Sequence, residues 1–284
     1  MIMANVRFTK RNIPAAILIY VAAIVIFLVS VFPFFWMLST SLKLPEDTFA
    51  SVPRLIPPRF TLENYKRAFS ETLLSRYFLN SIYVASVVTL VGVILSALGA
   101  YGFSRFRFPG RNFFLLFILC IQMLPSVVII IPLFIVMRNM GLLNNHCSLL
   151  VSYSTFTLPL CIWMLKGFFD GIPRELEEAA MIDGCSVGSA FFKVILPLTL
   201  PGIAASGIYA FIGAWNEFVF AMTFLNTNEL YTMPVGLNTF FGQFTVEWNQ
   251  LMAASVFFTI PSLIFFMLVR KYLAMGMMSG SVKG

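Results

Sequence analysis

One acidic side chain lies inside a long apolar segment, where few residues can do chemistry. Glu217 follows Trp215 and Asn216 in segment 201–225, and it is the only ionisable residue in the interior of any apolar segment of membrane-spanning length. A carboxylate in hydrocarbon is costly and by default marks a transport pathway or a partnered site. An aromatic ring, an amide and an acid together suit a sugar. The alternative is a structural role, in which Asn216 and Glu217 hold helices together or bond freed backbone groups. Gln122, in another apolar segment, is a weaker pathway candidate.

A second group of acids lies in a polar stretch further upstream. Pro173 suits the first turn of a helix, and Glu175, Glu177 and Glu178 place negative charge at the positive end of its dipole. Gly184 supplies the usual stop. The pattern predicts a helix of about ten residues, which is too short to be stable alone in water. We therefore expect a neighbouring element to brace it.

One face of this predicted helix is built of small residues. Leu176, Ala179, Ala180 and Asp183 fall at i, i+3, i+4 and i+7, so they share one side of the helix. Alanines allow another surface to approach closely. The pattern fits both a protein-docking face and a plain amphipathic linker, and the residues alone leave both open.

A second short helix follows the first. Ser186 predicts its start, and it ends before Pro197. Phe191, Phe192 and Ile195 are expected to brace it on the membrane helices of the same chain. The two helices form a predicted helix-turn-helix over 170–197.

Several kinds of chemistry have no residues to support them. The sequence has no GxxxxGK[ST] motif, so it cannot hold nucleotide phosphates in the P-loop manner. A lone Glu217 supplies no acid and base pair for an enzyme, so no catalytic residues are predicted. No stretch interleaves basic and aromatic residues in the polar, groove-forming pattern of nucleic-acid binders. His146 stands alone and no CxxC pair exists, so no metal site is predicted. The cysteines are interpreted as packing residues: Cys120, Cys147, Cys161 and Cys185.

The elements that must position these residues are membrane spans. The 284-residue chain is 59% hydrophobic and 11% charged, whereas soluble domains carry roughly 25% charged residues. A membrane-crossing helix needs about 20 mostly apolar residues. Six stretches qualify, and the fourth, which is rich in hydroxyls, has a re-entrant segment as its alternative. The predicted spans are 13–40, 78–103, 113–137, 147–165, 201–225 and 252–269 within one domain over 1–284.

The basic residues predict an orientation. The first apolar run is too long for a cleaved signal, so we expect a retained anchor. With both termini in the cytoplasm, the inside segments hold twelve basic residues and the outside segments hold seven. The inside set is Arg7, Lys10, Arg11, Arg105, Arg107, Arg111, Lys166, Arg174, Lys193, Arg270, Lys271 and Lys283.

The longest predicted outside loop is 41–77. Its four prolines favour extended chain. Thr61 is followed by a polar stretch that predicts a capped short helix at the membrane interface. The loop is interpreted as a tether, with a docking surface for an external partner as the alternative.

The acidic stretch carries a resemblance to a known family. EEAAMIDGCSVGSAFFKVILPLTLPG is similar to the EAA loop of permease subunits of binding-protein-dependent ABC importers. AWNEFVFA, QMLPSVVIIIPLF and the ending SGSVKG resemble the carbohydrate-uptake branch of that family, which includes the maltose permeases. The resemblance runs from the first span to the last residue. The matching EAA-loop positions are Glu178, Ala179, Ala180, Asp183, Gly184, Leu196, Pro197 and Pro201, and Cys185 replaces the usual alanine.

The resemblance implies an all-α type I ABC importer permease with six transmembrane helices. It further implies a second homologous permease, two ATP-binding subunits that hold ATP and Mg²⁺, and an extracytoplasmic sugar-binding protein. This chain would bind no cofactor itself and would lie in a bacterial or archaeal cytoplasmic membrane. Glu178, Ala179, Ala180 and Gly184 would form the ATPase contact, with Asp183 nearby. An ATP-independent secondary transporter of small polar solutes is the alternative, which predicts inverted repeats.

Overall fold

The computed structural model describes residues 13–50, 52–242 and 246–280. Their regular elements are helices, as the sequence predicts. In chain order the α-helices are α1 Ile13–Ser41, α2 Pro45–Thr48, α3 Glu63–Ser70, α4 Leu74–Arg105, α5 Arg111–Gln122, α6 Ser126–Asn139, α7 His146–Asp170, α8 Glu175–Ile182, α9 Val187–Ala190, α10 Leu196–Leu198, α11 Leu200–Asn216, α12 Val219–Phe224, α13 Met233–Asn238 and α14 Trp248–Gly280. A π-helical turn, Phe191–Ile195, joins α9 to α10, and a 3₁₀ turn, Asn228–Leu230, precedes α13.

Four helices are long and apolar enough to cross a bilayer. They are α1, α4, α7 and α14, and they correspond to the predicted first, second, fourth and sixth spans. Two bent helix pairs would bring the number to six. The hydroxyl-rich α7 is one continuous helix of 25 residues, which excludes the re-entrant alternative. Its Ser and Thr hydroxyls bond carbonyls one turn back, so its polar groups are satisfied within the helix.

The predicted third span is a broken helix. Helices α5 and α6 meet at an angle of 99°. The break covers Met123 to Pro125, where the amides of Met123 and Leu124 still find carbonyls in the last turn of α5. Pro125 has no amide to continue the ladder, and this explains the sharp change of direction.

The predicted fifth span also ends early. Helix α11 stops at Asn216, and Glu217 adopts an extended conformation before α12 begins. A continuous helix over 201–225 is therefore incorrect. At the other end of α11, segment 187–198 meets it at 77°. The bend falls at Thr199, beside Pro201, which lacks the amide needed for a continuous ladder.

Small residues allow the central helices to pack closely. Helix α4 packs against α7 and α11. A Cβ on Gly92 would lie 3.8 Å from Thr157, and Ser96 and Ala100 are fully buried. These three residues recur every four positions, a spacing that favours close contact between membrane helices. Gly202 has the tightest position on α11, where an added Cβ would lie 2.5 Å from the Phe168 ring.

The chain divides into two compact units where the sequence predicts one domain. The larger unit comprises 71–241 and 257–284, and the smaller comprises 1–70 and 242–256. Two buried amides hold the smaller unit together. The side chain of Asn64 donates to the carbonyls of Ser41 and Lys43, each at 2.8 Å, and Asn249 donates to Lys43 at 2.8 Å. These bonds satisfy backbone carbonyls just after the end of α1.

Helix α3 confirms the capped short helix predicted in loop 41–77. The Thr61 hydroxyl accepts a hydrogen bond from the amide of Glu63 at 3.1 Å. Some of the residues assigned above to the cytoplasmic side lie outside the described residues, namely Arg7, Lys10, Arg11 and Lys283. The end of the SGSVKG passage lies outside them as well.

Gly202→Ala is expected to destabilise the chain by about 1–3 kcal/mol, because the new methyl group overlaps Phe168 near its backbone. Gly213→Ala, on the same helix, is the matched control, since its Cβ would have no heavy atom within 4 Å. Thermal unfolding of the full chain in detergent measures both. Equal stability of the two variants would contradict the close approach of α11 to α7.

Candidate functional site

Helix α8 forms within the acidic stretch, as predicted, with eight residues rather than about ten. Gly184 has a φ of +92°, a conformation that favours glycine. Its amide donates to the carbonyl of Met181, and the amide of Cys185 donates to that of Ala180. This pair of bonds is the Schellman motif, which satisfies carbonyls left free at a helix end.

A buried ion pair holds α8 against the end of α4. The Nε of Arg105 lies 3.0 Å from a carboxylate oxygen of Glu177, and both side chains are about nine-tenths buried. The hydroxyl of Tyr101, one turn earlier on α4, donates to the other oxygen of Glu177. Arg105 also donates to the carbonyl of Ile172 at 3.0 Å. This is the brace that the short length of the helix requires.

A second set of polar contacts ties α7 to the same place. The Ser104 hydroxyl donates to Asp170 at 2.6 Å, and Lys166 pairs with the other oxygen of Asp170 at 2.5 Å. Arg174 donates to the carbonyl of Ser104 at 3.2 Å. The ends of α4 and α7 and the segment that leads into α8 are therefore joined by charge-assisted hydrogen bonds.

The second short helix also forms as predicted. The Ser186 side chain accepts from the amide of Ser189 and caps α9. Phe191 is buried, with its ring 4.6 Å from that of Tyr101. Ile195 is fully buried, whereas Phe192 is 62% exposed.

The expectation that Phe192 braces this helix is therefore wrong. The π-helical turn changes the angular spacing of its side chains, and Phe191 and Ile195 face inward.

Three of the four residues grouped on the predicted face of α8 are exposed, and the fourth is buried. Ala180, grouped with the docking face from its spacing, is 8% exposed and packs inward beside Glu177. Glu178 and Ala179 are exposed, and Ile182 is 86% exposed. We call Glu178, Ala179 and Ile182 the outward face of α8. Asp183 and Gly184 are exposed at the end of the helix.

Glu217 lies at the break after α11, where it caps the next helix. One carboxylate oxygen accepts from the amide of Phe220 at 2.8 Å. The other accepts from the amide of Ala221 at 3.2 Å and from the hydroxyl of Tyr153 at 2.6 Å. The structural alternative stated above therefore applies, because this carboxylate bonds backbone amides that the break has freed.

Trp215 and Asn216 do not join Glu217 in a sugar-binding group. Trp215 is 1% exposed, stacks between Phe211 and Phe258, and donates its ring N–H to the carbonyl of Phe258. Asn216 is exposed and donates to the carbonyl of Ile212. Successive helical residues point in different directions, and only tertiary packing decides which of them faces a cavity.

A cavity of about 580 Å³ lies beside α11, and Glu217 is one of its lining residues. Its polar groups include Glu217, Tyr153 and Tyr209, while Trp215 and Gln122 do not line it. Gln122 donates to the Tyr209 hydroxyl at 3.1 Å and so touches the lining only indirectly. Tyr153 and Tyr209 were not identified from the sequence, where only their places in apolar segments marked them.

The remaining candidates have structural contacts. His146 bonds the carbonyl of Leu230 at 2.7 Å. Cys161 is buried, which confirms its packing role, whereas Cys120 and Cys147 are exposed and Cys185 is partly exposed. These three side chains are not buried, so the packing role predicted for them is not confirmed.

Comparisons with known proteins bear on the whole arrangement. Residues 69–279 match the family described as binding-protein-dependent transport system inner membrane component. The chain is 39% identical to the trehalose/maltose transport system permease protein MalG of Thermococcus litoralis, over 97% of this chain and 99% of that protein. It is 37% identical to the sulfoquinovosyl glycerol transport system permease protein SmoH of Agrobacterium fabrum, over 93% of each.

The fold has a solved counterpart. A bacterial ABC transporter involved in the import of the acidic polysaccharide alginate aligns with a TM-score of 0.83 at 23% identity, over 95% of this chain and 100% of that one. The apolar helices and the family match together define a multi-pass membrane transport subunit. The chain belongs to the family of binding-protein-dependent transport system inner membrane components.

Glu177→Ala is expected to destabilise the chain by about 3–5 kcal/mol, because it leaves the buried charge of Arg105 unpaired. Glu178→Ala is the matched control on the next residue, where an exposed carboxylate contributes within about 0.5 kcal/mol. Thermal unfolding in detergent compares them. If the two variants unfold at the same temperature, the ion pair does not hold α8.

Proposed function

We propose that the chain forms half of the translocation pathway of an ATP-driven sugar importer. The observation that carries this proposal is the outward face of α8, a small exposed surface on a helix that is rigidly anchored to two membrane helices. The family supplies the class of transporter, and sugar-uptake relatives covering nearly the whole chain supply the substrate class. No observation favours the secondary transporter.

The outward face of α8 is the proposed seat of a separate ATPase subunit. Ala179 permits close approach, Ile182 offers an exposed apolar contact, and Glu178 offers a charge. Asp183 and Gly184 end the helix in a fixed geometry. Because the chain has no P-loop motif, ATP and Mg²⁺ belong to that partner.

Force on α8 would pass into the membrane by two routes. Glu177 connects α8 to α4 through Arg105 and Tyr101. The π-helical turn continues through α10 into α11, and its Phe191 also packs on Tyr101 of α4. Closure of two ATPases would then move both halves of a permease pair and alter access to the cavity that Glu217 lines.

The α8 side of the membrane helices is the proposed cytoplasmic side. Basic residues gather there, in accordance with the positive-inside rule: Arg105, Arg107, Arg111, Lys166, Arg174 and Lys193. Both termini would lie on the same side. A second homologous permease and an extracytoplasmic sugar-binding protein would complete the pathway.

Glu178→Lys is expected to reduce ATPase recovery at least tenfold when the tagged chain is purified from its native host in mild detergent. The substitution reverses a charge on the proposed contact. Glu229→Lys, the same change at an exposed position near the opposite end of α4, is the control and should recover the ATPase fully. Full recovery with Glu178→Lys would exclude α8 as the seat. ATP-independent sugar uptake by the chain alone in liposomes would overturn the importer function itself.

Tyr153→Phe and Glu217→Gln test whether the cavity takes the sugar. Each changes one polar group of the lining, and each is expected to lower sugar-stimulated ATPase activity about tenfold without loss of assembly. Ser154→Ala, on the same helix, is the control because its hydroxyl only bonds the carbonyl of Leu150. Stimulation that is unchanged in both variants would leave Glu217 with only its capping role.

A further inference from the structure

The turn between α4 and α5 lies beside two connected hollows. One, of about 580 Å³, is lined by Arg105, Arg107, Arg111 and Arg174 among others. The other, of about 360 Å³, shares Arg107 and Arg111 with the first and extends over Asn112 and Phe113. We call these hollows together the basic cleft.

Two of the acids around the basic cleft are already engaged. Glu177 is paired with Arg105, and Asp170 is paired with Lys166 and bonded by Ser104. With the ion-pair partners Lys166 and Glu177 included, five basic side chains stand against three carboxylates, of which Glu175 is the third. The cleft keeps an excess of two positive charges.

Two arginines supply this excess. Within the described part of the chain, neither Arg107 nor Arg111 forms an ion pair, and the Nε of Arg111 is buried without a hydrogen-bond partner. A buried guanidinium N–H without an acceptor is costly. An anion bound in the cleft would give this N–H an acceptor.

The start of α5 adds to the same field. Gly110, with a φ of +79°, turns the chain so that α5 begins at Arg111 beside the cleft. The first amides of a helix have no partner within the helix, and the dipole favours a negative charge there. Asn112 and Phe113, which line the smaller hollow, belong to this first turn.

An apolar surface continues from the cleft along α5. Phe113 is 67% exposed and Phe117 is 54% exposed, and their rings stack 6.2 Å apart. Phe114 and Leu116 are also exposed. In a membrane protein such a surface contacts acyl chains, so a site for a phosphate adjoins a surface for hydrocarbon. A soluble anion would use only the first of these.

We propose that the basic cleft binds the phosphate of an anionic membrane phospholipid, with its acyl chains along Phe113 and Phe117. Arginines at the head-group level of a membrane protein commonly recognise such lipids. Bound phosphate would compensate the positive excess beside Arg105 and Arg174, which also anchor α8. The proposal rests on the membrane placement of the family and not on the sugar or the ATPase.

The test uses the full chain with the partners that purify with it, delipidated in mild detergent. Phosphatidylglycerol and phosphatidylcholine are titrated separately, and native mass spectrometry counts the bound lipid. We expect selective retention of phosphatidylglycerol, with affinity about thirtyfold lower for Arg107→Gln combined with Arg111→Gln. Arg138→Gln, an exposed arginine at the end of α6, is the matched control and should bind as the unaltered chain does.

Three outcomes would overturn the proposal. The first is equal retention of phosphatidylglycerol by the double variant and the unaltered chain. The second is equal binding of the two lipids. The third is displacement of phosphatidylglycerol by inorganic phosphate at comparable concentration, which would indicate a free-anion site. Should the double variant not fold, Arg107→Gln alone is used, since Arg107 forms no hydrogen bond or ion pair within the described residues. Its affinity should fall about fivefold.

Discussion

The placement of α8 depends on the buried pair of Arg105 and Glu177, completed by the hydroxyl of Tyr101. An eight-residue helix has too few internal hydrogen bonds to persist alone in water. Two charges in a buried place are tolerated only when each has its partner, so the pair admits essentially one arrangement. Because Glu177 faces α4, the opposite residues Ala179 and Ile182 must face away.

The same requirement for satisfied polar groups governs the breaks within the membrane segments. In hydrocarbon an unpaired amide or carbonyl cannot form a hydrogen bond to water. A broken helix therefore needs side chains to replace the lost backbone hydrogen bonds. The Glu217 carboxylate does this for α12, and the Thr199 hydroxyl accompanies the bend before α11 by bonding carbonyls of the preceding turn. These residues shape the chain by permitting it to change direction, and the Glu217 carboxylate also reaches a cavity.

The charges near α8 act over three ranges of distance. At contact distance they lock α4, α7 and α8 together through Arg105, Lys166 and Arg174. Over the neighbouring surface, Arg107 and Arg111 keep an excess of positive charge beside an exposed aromatic strip on α5. Summed over the whole chain, the basic excess bears on how it inserts in the membrane.

The sequence by itself determined the class of protein, the four continuous spans and the positions of α3, α8 and α9. Those features follow from apolar length and from caps such as Thr61, Ser186 and Gly184, which act over a few residues. Only the tertiary structure decided which face of α8 is exposed and which groups hydrogen-bond to Glu217. Both depend on partners far away in the chain, for Tyr101 bonds a carboxylate 76 residues along and Tyr153 one 64 residues along. The spacing of residues along one helix does not predict such partners, because it does not specify how that helix is oriented toward its neighbours.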